Sequence, residues 1–168
     1  MSTAAAPSVA PSAHAPGDGE AIWFLGTLAV VKTSTETTAG RVAVLESLAP
    51  PGFGSPLHVH HREDEWFYVL KGELTLWVGG RTISAPAGSF AYGPRGVPHT
   101  FTITSPGPAR FLLVAEPAGF EDFVRSLGEP AQTVDLPPAS VRLPDPERLV
   151  AVAAEYEIEI LGPPGIPA

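Results

Sequence analysis

His58 and His60 are separated by a single residue in the β-prone run Leu57-His58-Val59-His60. Side chains two apart on a strand leave the backbone on the same face, so both imidazoles converge on one point. Glu65 opens the next apolar run, after the polar corner His61-Arg62-Glu63-Asp64, and shares its face with Phe67 and Val69. If that corner is a hairpin, the carboxylate comes to lie beside the two imidazoles. His99 follows the turn Gly93-Pro94-Arg95-Gly96 and heads a strand in which Phe101 and Ile103 share its face, so it can close the site from another strand. Three imidazoles and one carboxylate are donors that a divalent transition metal accepts, and Fe, Ni, Mn, Cu, Co or Zn all suit them. Four protein ligands still leave open positions on a five- or six-coordinate ion, where water, dioxygen or a chelating substrate can bind. The chain has no cysteine, which excludes thiolate metal sites and disulfides.

The neighbouring polar groups read differently. His14 lies in an Ala/Pro/Ser segment, and strand alternation turns His61 away from His58 and His60. Glu63 and Asp64 are expected to be solvated turn residues, with Asp64 able to replace Glu65 if the strand starts earlier. Phe67, Val69, Phe101 and Ile103 are expected on the cavity face near the ligands, with Phe53, Phe90 and Tyr92 as further candidates. Apolar walls of this kind favour an aromatic ligand, although the same side chains are what any small barrel needs for its core.

The elements that must position these groups are short strands. From Ala21 onward, β-rich runs occupy Ile22 to Lys32, Arg41 to Leu48, Leu57 to His60, Trp66 to Leu70, Leu74 to Val78, Thr82 to Ser84, Phe90 to Tyr92, His99 to Thr104 and Phe111 to Ala115. Gly and Pro punctuate them, notably at Pro50-Pro51-Gly52, Lys71-Gly72 and Gly79-Gly80. After Pro117 the period changes. Phe120, Phe123, Val124 and Leu127 recur at helical spacing, and Gly128 stands where a helix would stop. A second helix is expected from Pro146 to about Tyr156, capped by Asp145, with Leu149, Val150 and Val152 among its buried residues. A last strand is expected over Glu157 to Leu161. The reading is therefore all-β: one barrel over residues 21–117, a helical extension packed on it over 118–168, and a tail over 1–20. That tail lacks the apolar material to repay the entropy of ordering.

At 168 residues the chain suits one such domain, and no internal repeat suggests a second barrel. The formal net charge is −8 with ten Lys and Arg, which argues against a phosphate backbone or an anionic membrane as partner. The longest apolar stretch, Ala21 to Val31, falls well short of the roughly 20 residues needed to span a bilayer. No Lys or Arg precedes Lys32 and no apolar leader is visible, so a cytoplasmic location is expected.

Gly52-x5-His58-x-His60-x4-Glu65-x6-Gly72 resembles the first motif of the cupin superfamily with every fixed position filled. Gly88-x5-Pro94-x-Gly96-x2-His99 resembles the second, with fifteen residues between Gly72 and Gly88. Ile103 departs from the pattern, which usually has Asn there; that Asn is not a metal ligand in the family. The resemblance implies a jelly-roll β-barrel, a metal on His58, His60, Glu65 and His99, and a homodimer. Beyond the barrel, Phe120-Glu121-Asp122-Phe123 through Pro130, and Asp145-Pro146-Glu147, resemble the C-terminal extension of bacterial quercetinase-like single-cupin proteins. That likeness implies a dioxygenase in which a flavonol is bound through its deprotonated hydroxyl and its ring opens with loss of carbon monoxide. Glu65 would then be both ligand and base. A metal-dependent isomerase, a decarboxylase, a cyclase or a small-molecule-binding cupin on the same barrel are the competing expectations.

Overall fold

The computed structural model describes residues 9–167. In chain order the strands and helices are β1 (Glu20–Phe24), β2 (Thr27–Thr33), α1 (Thr35–Thr38), β3 (Ala43–Ala49), β4 (Pro56–His60) and β5 (Asp64–Lys71). There follow β6 (Glu73–Val78), β7 (Arg81–Pro86), β8 (Phe90–Gly93), β9 (His99–Ile103), β10 (Ala109–Glu116), α2 (Phe120–Leu127), β11 (Glu129–Pro130), α3 (Pro146–Glu155) and β12 (Ile158–Pro164). All pairings are antiparallel, in a seven-stranded sheet ordered β11-β1-β2-β3-β10-β5-β8 and a five-stranded sheet ordered β12-β4-β9-β6-β7. This is the double-sheet barrel with short helices expected from the sequence. Among the described residues no helix is long and apolar enough to cross a membrane.

Strand alternation builds the core. On β10 the buried positions are Ala109, Phe111, Leu113 and Ala115; on β5 they are Glu65, Phe67 and Val69. These side chains meet Leu74, Leu76, Phe101 and Ile103 from the opposite sheet in one continuous cluster. Each fully buried large apolar side chain there contributes roughly 1.5–3 kcal/mol relative to exposure.

Several boundaries differ from the sequence reading. The run Ile22 to Lys32 is two strands, because Leu25 and Gly26 both take positive φ (51° and 85°) and close a two-residue hairpin. Residues 1–8 of the expected tail lie outside the described residues. Over 9–19 there is no strand or helix, yet Lys32 Nζ donates to the Asp18 carbonyl at 2.6 Å and Glu20 already belongs to β1. Gly72 is a turn that only glycine can make: its φ is +79°, and a Cβ would come within 2.9 Å of the Ala109 backbone.

The segment after Pro117 is more than a helical appendage. In α2, Phe120, Phe123 and Val124 are buried, and the Gly128 N–H ends the helix on the Val124 carbonyl at 2.8 Å. In α3, Asp145 caps the helix by accepting from the Arg148 N–H at 2.8 Å, with Pro146 in the first turn. Ala153 is its fully buried residue; Val150, expected inside, is 49% exposed, because the helix touches the barrel along a narrow stripe. β12 then pairs with β4, setting Ile158 against His60 and Ile160 against His58. The last strand thus belongs to the barrel and borders the histidine-bearing strand.

Candidate metal centre

β4 carries His58 and His60 into the barrel, and β9 places His99 directly across from His58 in register. Glu65 arrives from the other sheet. The corner after His60 is a crossover between sheets and not a hairpin, so β5 pairs with β10 and β8 and presents Glu65 to the histidines across the sandwich. One ligand atom from each of the four residues lies within 4.8 Å of the others. Glu65 Oε2 accepts from His99 Nε2 at 2.9 Å, and Glu65 Oε1 stands 3.5 Å from His60 Nε2.

The outer nitrogen of each ring is tied down. His58 Nδ1–H donates to the Pro56 carbonyl at 2.7 Å and His99 Nδ1–H to the Val97 carbonyl at 3.0 Å. A carbonyl only accepts, so these Nδ1 atoms carry hydrogen. Burial, reinforced by the neighbouring His99 and His60, lowers the His58 pKa to about 3 and keeps that ring neutral, with its Nε2 lone pair free. Burial opposes ionisation of Glu65, but the electrostatic influence of His60, the His99 hydrogen bond and the other imidazoles outweigh it and hold the carboxyl at about 2. Burial likewise works against protonation of His99, and its contact with Glu65 raises its pKa nonetheless.

His60 Nε2 tests whether a metal fits. It is fully buried and has no hydrogen-bond partner. Leaving such a group unsatisfied costs about 1–3 kcal/mol, whereas a cation at this point takes the lone pair directly. Three imidazole nitrogens and a carboxylate oxygen converging there fit a divalent transition metal.

His58, His60 and Glu65 stand in the wall of a cavity of about 90 Å³. Seven of the eight phenylalanines line it, and Phe90 alone does not. Phe67, Phe101 and Phe111 cluster with centroids 5.4–6.3 Å apart, Phe101 meeting the other two rings edge-to-face. The chain beyond Pro117 supplies Phe120, Phe123 and Val124 from α2, and Ile158 and Ile160 from β12. Thr27, Ser47 and Ser55 are the hydroxyl groups in the wall, and no Lys or Arg lines it.

The cupin domain family matches residues 44–115, a span that holds all four converging residues. With the two motifs and the double-sheet barrel, this decides the family. The chain belongs to the cupin superfamily. Quercetin 2,3-dioxygenase from Bacillus subtilis (strain 168) is 30% identical over 114 residues, covering 68% of this cupin and 34% of that protein. Quercetin 2,3-dioxygenase from Aspergillus japonicus is 36% identical over 76 residues, covering 42% of this cupin and 21% of that protein. The chain therefore spans about a third and a fifth of the lengths of these two relatives. Among solved structures, a predicted oxalate decarboxylase from Thermotoga maritima aligns with a TM-score of 0.52 at 25% identity, over 54% of this cupin and 80% of that chain.

Around this centre the cupin's other candidate residues divide sharply. Phe53, Phe67 and Phe101 are in the cavity wall. Val69 and Ile103 are buried but belong to the packed core and not to the wall. Phe90 and Tyr92 are corrections: they are 62% and 43% exposed, on the outer face of β8, where Tyr92 stacks on Trp66. The parity of this short run is opposite to expectation because Ala91 and Gly93 take the crowded inner face beside Phe67 and Glu65. His61 is exposed and meets Glu159 at 2.9 Å. Asp64 cannot replace Glu65, since its carboxylate is engaged by the Arg95 side chain at 2.6 Å and the Arg95 N–H at 2.9 Å. Glu63 is a further correction. Far from solvated, it is 2% exposed, and its Oε2 accepts from His60 Nδ1 at 3.2 Å. Nothing in local spacing marks a polar corner residue as buried.

Proposed function

We propose that this cupin is a metal-dependent dioxygenase acting on an aromatic hydroxy-ketone of the flavonol kind. The observation that carries the reading is a three-histidine, one-carboxylate cluster of which His58, His60 and Glu65 stand in the wall of a phenylalanine-lined cavity. The two quercetin 2,3-dioxygenases to which the chain is similar support the same chemistry. His58, His60, Glu65 and His99 would hold the ion; bound there, it supplies a Lewis acid with open positions that lowers the pKa of a substrate hydroxyl. The phenylalanine walls orient the aromatic ring and exclude water. Glu65, kept ionised by the neighbouring imidazoles, would be the carboxylate that accepts the hydroxyl proton. A homodimer belongs to the same proposal and is checked by light scattering.

The cavity volume favours a second reading, a decarboxylase, isomerase or cyclase on a smaller substrate. About 90 Å³ is well below the roughly 300–1,000 Å³ of sites that enclose drug-sized ligands, so a flavonol would need the wall to move.

The test is oxygen uptake by protein loaded in turn with Fe(II), Mn(II), Co(II) or Ni(II), with quercetin as substrate. Oxygen is expected to be consumed, and Glu65→Gln is expected to keep most of its metal while turnover falls about 10²–10⁴-fold. Near-full turnover in a metal-replete Glu65→Gln protein would remove the base role. No uptake with any flavonol would leave the second reading in its place.

A further inference from the structure

We infer that Glu63 is a positioning residue of the metal centre: its carboxylate fixes the tautomer and orientation of His60 and supplies the second negative charge that a divalent ion needs at this buried site. The inference rests on the metal-site reading and is independent of the substrate. His58 and His99 each give their Nδ1–H to a main-chain carbonyl two residues earlier, at Pro56 and Val97. His60 alone gives its Nδ1–H to a side chain, Glu63 Oε2 at 3.2 Å. A charged acceptor holds an N–H more strongly than a carbonyl and makes the opposite ring nitrogen a better donor. That opposite nitrogen is the buried, unpartnered His60 Nε2.

Glu63 cannot itself be a ligand of the same ion, because Nδ1 and Nε2 project from opposite sides of the ring. Its own burial points to the same role. It is 2% exposed, and among the described residues it forms no ion pair with a lysine or arginine. A buried carboxylate without a Lys or Arg ion pair is costly, and packing alone would be served better by an apolar side chain. Formal charge gives the reason for keeping it: counting only the ion and the carboxylates at its ligands, Glu65 alone would leave one positive charge on a divalent ion, and adding Glu63 brings that local sum to zero. The approach is close-fitted on its far side too. A Cβ on Gly119, just before α2, would lie 2.8 Å from Arg62 Nη1 and 3.6 Å from Glu63 Oε1, and the Phe120 ring packs on His60 with centroids 5.6 Å apart.

The experiment measures Co(II) affinity by chelator competition, with the melting temperature of metal-free protein as the folding control. Glu63→Gln keeps the shape and removes the charge; it is expected to lower Co(II) affinity about 10–100-fold and to shift the Co(II) d–d spectrum. Azide is expected to bind the Co(II) form of the variant more tightly than that of the wild type, because the uncompensated ion attracts anions; a purely structural role would not produce this. Unchanged Co(II) affinity in Glu63→Gln overturns the inference. A wild-type protein that binds no Co(II) overturns the metal-site reading and the inference with it. Should Glu63→Gln fold poorly, long-range ¹⁵N–¹H spectra of wild-type protein decide: His60 protonated on Nδ1 is expected, and a proton on Nε2 alone overturns the role.

Discussion

Phe120→Ala probes whether the segment beyond the barrel is a wall of the site. The Phe120 ring packs on Phe123 at 5.7 Å and on His60 at 5.6 Å, and it lines the cavity while remaining only 9% exposed. Truncating a buried phenylalanine costs about 3–5 kcal/mol, the sum of lost transfer energy and the new void. One side of this ring already faces a cavity, so fewer contacts vanish and the cost is expected near the lower figure, about 3 kcal/mol. For a domain of this size each kcal/mol moves the melting temperature by about 2–4 °C, so a fall of about 6–12 °C is expected by calorimetry. Metal content should not change, because all four ligands sit on β4, β5 and β9. The cavity should grow and admit bulkier phenolic ligands, read by ligand-induced stabilisation. A fall under about 2 °C would show that α2 does not pack as a wall, and loss of metal would show that the ring also holds His60 in place.

Three further outcomes follow from the geometry. His58→Ala, His60→Ala and His99→Ala should each lose most bound divalent metal by elemental analysis while His61→Ala keeps it; equal loss in His61→Ala would mean the β4 register is wrong. Gly128→Ala should lower the urea midpoint by an amount equivalent to about 1–3 kcal/mol, because a Cβ would stand 2.4 Å from Ile22 Cγ2 and 2.8 Å from the Trp23 carbonyl oxygen. Its φ of −90° is ordinary, so the clash alone carries that cost. Burial opposes ionisation of Glu46, but Arg110 and Lys32 (Nζ at 3.2 Å) hold its pKa below the usual value. A lowered folded-state pKa contributes stability that is present above the unfolded value and lost as pH falls through the folded one. Glu46→Gln should therefore cost up to about 1 kcal/mol near pH 7, and the two melting curves should converge on the acid side of about pH 4.

The four candidate ligands were legible because both signals involved are local. Strand pleating puts His58 and His60 on one side, and the glycine and proline turns around them mark where the strands stop. Helix α2 and its end at Gly128 were readable for a similar reason, since period and punctuation both lie within a few residues. The errors on β8 have a plain cause. Alternation divides a strand into two faces without saying which faces inward, and over the four residues of β8 the small Ala91 and Gly93 took the interior, leaving Phe90 and Tyr92 outside. Whether the corner after His60 is a hairpin is set by long-range strand pairing, which makes it a crossover, so that Glu65 reaches the histidines from the opposite sheet.

By itself, then, the sequence determined an all-β chain with a cluster of three imidazoles and a carboxylate on motifs of known spacing. Tertiary structure decided what surrounds that cluster. It buried Glu63 behind His60, drew α2 and β12 in as walls, and gathered seven phenylalanines from dispersed positions around one cavity. These contacts join residues far apart in the chain, and their energies arise only when the two sheets close, so no window of neighbouring residues contains them.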